Sequence, residues 1–140
     1  MGQPGETDRA VDPRRNACEA AAVHAQVRSF LSHEVDAGQP EDPQMADVLV
    51  QVFAGPADGP GEEQFQVEVV TPAALRARLS KSQFLVGRHL LITERFDWAA
   101  TTDFLRARFE EPEAPTWPEV ADKLARLGLW EFEEYRDYGL

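Results

Sequence analysis

The chain has 140 residues, with 25 acidic and 14 basic side chains and a formal charge of −11. That length suits one domain, and the 43% hydrophobic and 28% charged content exclude a chain disordered throughout. A charge of this sign argues against nucleic acid as the main partner and for a basic protein, because phosphate binding draws on Lys and Arg.

Residues 1–20 mix Gly, Pro and charges, with Pro4, Gly5 and Pro13 breaking any periodicity, and are expected to form a flexible extension. The remainder, 21–140, is expected to be one α+β domain. Met1 to Glu6 lacks the basic and apolar regions of a signal peptide. No apolar run approaches the ~20 residues that span a bilayer. Cys18 stands alone, so neither an internal disulfide nor a cysteine zinc site is expected, and the protein is expected in the reducing cytoplasm.

Ala20 to Val35 is open between two structures. Val23, Val27, Phe30, Leu31 and Val35 fall at helical spacing, whereas Val23, Ala25, Val27, Ser29 and Leu31 alternate as in a strand. Asp36 to Pro43 is a loop punctuated by Gly38, Pro40 and Pro43. Val48 to Phe53 is β-branched and of strand length. Gly55 to Gly61 cannot hold regular structure and forms a long hairpin loop. Phe65, Val67 and Val69 then alternate with Gln64, Gln66 and Glu68, a strand with one wet face.

Thr71-Pro72 starts a helix, with Thr as cap and Pro in the first turn; Leu75 and Leu79 give it a short apolar stripe. His89 to Phe96 is expected to be a buried strand. Asp97 caps the next helix, Trp98, Leu105 and Phe109 mark its buried face, and Pro112 stops it. Thr116 and Glu119 form a capping-box pattern, and Trp117, Val120, Ala121, Leu124 and Leu127 follow at spacings of 3 and 4. Gly128 is expected to close that helix in the left-handed region, with Leu129 folding back. The expected fold is α+β: an antiparallel sheet of about four strands with three helices packed on one face.

No residues stand out for catalysis. His24, His33 and His89 form no i, i+4 pair, and there is no phosphate loop, HExxH or GxSxG. Cys18 lacks the positioned base that a nucleophilic thiol needs. A metal pair of His24 and His89 across neighbouring strands lacks an acid at a spacing that completes it. The pairs Glu62/Glu63, Glu110/Glu111 and Glu133/Glu134 lie beside loops or termini, where water keeps both members ionised instead of raising one pKa for acid catalysis. No catalytic residue, metal or cofactor is therefore assigned.

The closing stretch Gly128 to Tyr138 is the most unusual, with four aromatics and four acids. From Glu110 to Leu140 nine acids face three bases, so −6 of the net charge sits in the last 31 residues. Trp130 and Phe132 can anchor the chain end in the core. Tyr135 and Tyr138 are three apart and can share a helical face. Rigid rings beside carboxylates suit a binding surface that selects a basic partner.

These pieces resemble the immunity protein 8 family of bacterial polymorphic-toxin systems. The resemblance rests on the Gln39-Pro40-Glu41-Asp42-Pro43 loop, the Phe65-to-Pro72 strand entering a Thr-Pro helix start, Gly87-Arg88-His89 before an apolar strand, and the closing Gly-Leu-Trp-Glu-Phe-Glu-Glu-Tyr-Arg. It covers Val23 to Tyr138, leaves residues 1–22 outside, and implies a strand at His24 to Leu31. It also implies a non-catalytic protein that binds and neutralises a cognate toxin, and it brings no catalytic residues. The expected contact residues are Glu131, Glu133, Glu134, Tyr135, Asp137 and Tyr138, with Glu41, Asp42, Glu62 and Glu63 as a second group. The toxin is expected to be a nuclease or another effector with a basic site. Two other functions remain open: a small hydrolase-like enzyme using His24 or His89 with a carboxylate, and a general acidic interaction domain.

Overall fold

The structure is a computed structural model and describes residues 22–35 and 40–131. The expected extension at 1–20 lies outside these residues. In chain order the elements are β1 (Val23–Leu31), β2 (Asp47–Pro56), β3 (Glu63–Val70), α1 (Pro72–Lys81), β4 (Leu90–Ile92), α2 (Trp98–Phe109), β5 (Glu113–Ala114), α3 (Trp117–Leu124) and β6 (Leu129–Trp130). The open segment at Ala20 to Val35 is thus a strand.

The fold is α+β, but among the described residues the sheet is mixed and has six strands, not about four antiparallel ones. Its order is β4-β3-β2-β1-β5, with β6 also on β3. β1, β2 and β3 are antiparallel neighbours. β4 runs parallel to β3 at Glu68 to Val70, and β6 runs antiparallel to the same edge at Phe65 and Gln66. Two short strands therefore share one edge of β3 end to end. On the far side β5 pairs with β1 only at Val23 and His24. Beyond it the main chain of Val27 is met by side chains at the end of α2: Glu110 Oε2 accepts from Val27 N at 2.9 Å, and Arg106 Nη1 donates to Val27 O at 3.1 Å.

Alternation along the strands divides the sheet into two faces. Val48, Val50, Val52, Phe65, Val67 and Val69 point inward and are almost fully buried. They share one core with Leu105 and Phe109 of α2 and Val120, Ala121 and Leu124 of α3. The opposite face carries the in-register rows Ser29–Phe53–Gln64 and Leu31–Gln51–Gln66–Leu129.

All three helices were expected on one face, yet α1 reaches over the other. Its Arg78 donates to Asp47 and Glu68, whose positions alternate with the inward valines, and its Ala74 is buried along with Val70 of the same face. The reason is topological. β3 and β4 are parallel neighbours, and the connection between parallel neighbours must cross one face of the sheet. The Asp47 carboxylate, and after it Glu68, holds the Arg78 guanidinium above its ordinary pKa, against the opposing pull of desolvation.

The helix starts follow the sequence. Thr71, Asp97 and Thr116 accept from the main-chain N–H of Ala74, Ala100 and Glu119, respectively. Other local expectations are corrected. Leu79 is exposed, and the buried residue of α1 is Ala74. The strand expected from His89 to Phe96 shrinks to Leu90–Ile92, because His89 adopts a left-handed φ of 65° and turns the chain into β4. Gly128 is not left-handed; among the described glycines only Gly61 has a positive φ. Gly128 is needed for close approach, since a Cβ there would stand 3.1 Å from Val67 Cγ2 and 3.2 Å from Gln66 O and Phe65 Cβ.

Gly128→Ala should therefore cost about 1–3 kcal/mol through overpacking against β3. Gly87→Ala, whose added methyl would meet only the Leu90 side chain at 3.8 Å, should stay within about 0.5 kcal/mol. Urea unfolding of the two variants measures the contrast.

Candidate functional site

The acids singled out from the sequence fall into two separate groups among the described residues. Glu41 and Asp42 precede β2, in an exposed loop where Asp42 Oδ1 accepts from Gln44 N at 3.1 Å. Glu62 and Glu63 follow the hairpin loop at the other end of β2. A ten-residue strand separates the groups, roughly 30 Å at ~3.3 Å per residue. Glu133, Glu134, Tyr135, Asp137 and Tyr138 lie outside the described residues.

β6 brings Glu131 to the Glu62/Glu63 end. Glu131 N donates to Gln64 O at 3.1 Å, and Glu131 Oε2 accepts from Gln64 N at 2.9 Å. Its side chain thus extends the β3–β6 ladder by one more bond. The hairpin loop beside it is pinned by Arg28, at the bulge in β1. Arg28 Nη2 donates to the carbonyls of Pro56 and Gly59 at 2.8 Å and of Gly61 at 3.3 Å. Gly55 lies so close to Gly61 that a Cβ would fall 2.0 Å from the Gly61 carbonyl oxygen. Glu62 therefore projects from a tied loop, and it is exposed.

Glu63 has an internal task. It shares the inward row with Phe65 and Val67, and its carboxylate accepts from two indoles: Trp117 Nε1 at 2.7 Å and Trp130 Nε1. An indole N–H can only donate, and a carboxylate has two oxygens to receive such bonds. One side chain therefore joins β3, the start of α3 and β6. Trp130 stacks on Phe65 at 6.4 Å between ring centroids, and Phe65 meets Phe109 edge-on at 5.5 Å. The parity of Glu63 with Phe65 already signalled an inward side chain.

His24 and His89 do not come together. His24 sits on β1 beside β5, with Nε2 3.1 Å from Glu113 Oε1, and both side chains are about half exposed. His89 lies at the β4 side of the sheet, with Nε2 2.9 Å from Ala125 O. Among the described residues no three His, Cys, Asp or Glu gather as a metal site. No helix among them is long and apolar enough to cross a membrane.

Sequence reasoning passed over the α1–β4 loop, where Phe84 and Val86 are 78% and 84% exposed. Three successive apolar residues there, with no polar alternation, were the available signal. The loop is tied where it leaves α1, by Ser82 N to Arg78 O at 3.1 Å and by Ser82 Oγ to Phe84 O at 3.0 Å.

The family model described as Immunity protein 8 matches residues 25–135. The chain belongs to this family. The match runs from Ala25 within β1 through β6 and reaches Tyr135, so it covers Glu131, Glu133 and Glu134 and stops short of Asp137 and Tyr138. Membership implies an immunity protein with a toxin as its partner. No curated protein matches the chain, and no solved structure does.

Removing the Glu63 carboxylate leaves two indole donors without their acceptor. Glu63→Ala should lose about 2–4 kcal/mol of stability and shift the tryptophan emission to the red. Glu62→Ala should change stability by less than about 0.5 kcal/mol. Denaturant titration followed by fluorescence separates the two.

Proposed function

We propose that the chain is a non-catalytic inhibitor that neutralises a cognate polymorphic toxin in the cytoplasm by presenting acidic surface to a basic site on it, such as that of a nuclease. The observation that carries the proposal is family membership over residues 25–135 in a chain whose charge is −11. The placement of charge supports it. Glu62 and Glu131 are exposed at one end of the sheet, and the acidic residues Glu133, Glu134 and Asp137 follow Glu131 within six positions. Tyr135 and Tyr138, interleaved with them, add rigid contact area of the kind that anchors interfaces. Long-range attraction between a negative inhibitor and a positive toxin raises the rate of encounter, which suits a protein that must act before the toxin does.

Two features weigh against the hydrolase alternative. The His24–Glu113 pair is open to water and lies on a strand edge, so nothing desolvates either member for acid–base chemistry. Glu63 accepts an indole N–H at each of its two oxygens, which commits it to a structural role. The second group of contact residues keeps Glu41, Asp42 and Glu62 as exposed candidates, with Glu63 contributing through the position of its neighbours.

Co-expression with the toxin encoded beside this gene is the direct test. The wild-type chain should restore growth and co-purify with the toxin. A Glu133→Lys/Glu134→Lys variant should keep its melting temperature and bind about 10-fold or more weakly, as expected for reversed charge against a complementary surface. Full protection by that variant would place the acidic contact elsewhere.

A further inference from the structure

We infer that the outward face of the β1–β2–β3–β6 sheet is the charge-free centre of the toxin contact, bordered by the carboxylates of Glu34 and Glu131; this inference rests on the toxin-inhibitor reading above. α2 and α3 cover the inward face, and α1 crosses the outward one only near Val70, Asp47 and Glu68. Among the described residues, the part left uncovered holds Leu31, Leu49, Gln51, Phe53, Gln66 and Leu129. None is ionisable, in a chain of which 28% is charged. The two leucines at its margins, Leu31 and Leu129, are 41% and 37% exposed. Depletion of charge with retention of aromatic and aliphatic groups is the mark of an interface centre, and a charged rim is its usual complement.

That rim is built by hydrogen bonds from acids to the strands themselves. On the β1 side, Glu34 Oε1 accepts from Leu49 N at 2.7 Å, which sets a carboxylate beside Leu31 and Leu49. On the β6 side, Glu131 is fixed by Gln64 N in the same way. The neutral glutamines at the centre can exchange hydrogen bonds with a partner without the cost of desolvating an ion. At ~4.8 Å between strands and ~3.4 Å per residue, the patch measures roughly 300 Å². A stable interface takes about 800 Å² per partner, so the patch supplies the centre and the surface around it, with Glu34 and Glu131, supplies the margin.

The occupant is a basic protein foreign to the chain. A second copy would bring another −11 and the same acidic rim, and like charges across an interface oppose it. Residues 1–21 carry four acids and three bases, so they offer no positive complement.

The test pairs binding with footprinting, on the full chain and the toxin encoded beside its gene. Gln51→Lys/Gln66→Lys places two positive charges at the centre without removing any core side chain. It should weaken toxin binding about 10-fold or more, while the melting curve keeps its shape and moves down only slightly, the cost of like charges directly opposite across β2 and β3. Ala99→Lys/Ala107→Lys adds the same charge at exposed positions of α2, behind the inward face, and should bind within about 3-fold of wild type. Hydroxyl-radical labelling should oxidise Phe53 and Leu129 in the free chain and spare them in the complex. Unchanged binding by the glutamine variant beside a binding wild type overturns the assignment of this face and leaves the inhibitor reading standing. A wild type that neither binds nor protects overturns that reading and this inference with it. Protection of Phe53 in the free chain also overturns the inference: if independent of concentration it makes residues 1–21 the occupant, and if lost on dilution it makes a second copy the occupant.

Discussion

The Glu63 carboxylate, shared between Trp117 and Trp130, is the interaction that ties β3, the start of α3 and β6 together. Both indoles lie far from Glu63 in sequence, at 54 and 67 positions, and the two-residue β6 has little apolar surface of its own with which to find its place on the sheet. A single acceptor resolves the polar demand of both while their rings pack against Phe65 and its neighbours. β6 then takes its place on β3, and the acidic stretch starts from a defined point. Buried apolar area supplies the larger share of the stabilisation, but it is not directional; the two N–H bonds decide which ring goes where.

From that node the two faces of the sheet acquire different roles. The inward face is a valine and phenylalanine layer under α2 and α3, and its alternation is unbroken from Val48 to Val52 and from Glu63 to Val69. The outward face keeps the same period with glutamine, leucine and one phenylalanine. The parallel entry of β4 forces α1 across this outward side, and Arg78 secures it through Asp47 and Glu68. The helices are thus divided between the faces by the topology of one crossover, and a strip of uncharged sheet is left between α1 and the hairpin loop.

What the sequence discloses is what local physics decides. Thr71, Asp97 and Thr116 each sit before a helical run and cap it, because capping involves a hydrogen bond within three residues. β2 and β3 are legible from β-branching and alternation. β5 and β6, at two residues each, have no period of their own and exist only where β1 and β3 accept them. His89 and Gly128 were misread for a related reason. A left-handed turn at a histidine and a glycine kept small by Phe65 and Val67 are both dictated by distant chain. The acids divide in the same way. Glu62 is legible as a surface residue by its place in the loop, whereas Glu63 is marked only by its parity with Phe65, since the indoles that give it its task lie 54 and 67 positions away.

The filling of the strand edges has a consequence for handling the protein at high concentration. An open edge invites another chain to add a strand and begin an ordered aggregate. Here β4 and β6 occupy the outer edge of β3 between them, and Glu110 with Arg106 blocks β1 at Val27, where β5 has already ended. The hairpin at the centre of the sheet is β-rich and apolar, yet it offers little template for fibrous growth. The covered edges of β1 and β3 thus guard the chain against strand-by-strand association independently of its charge.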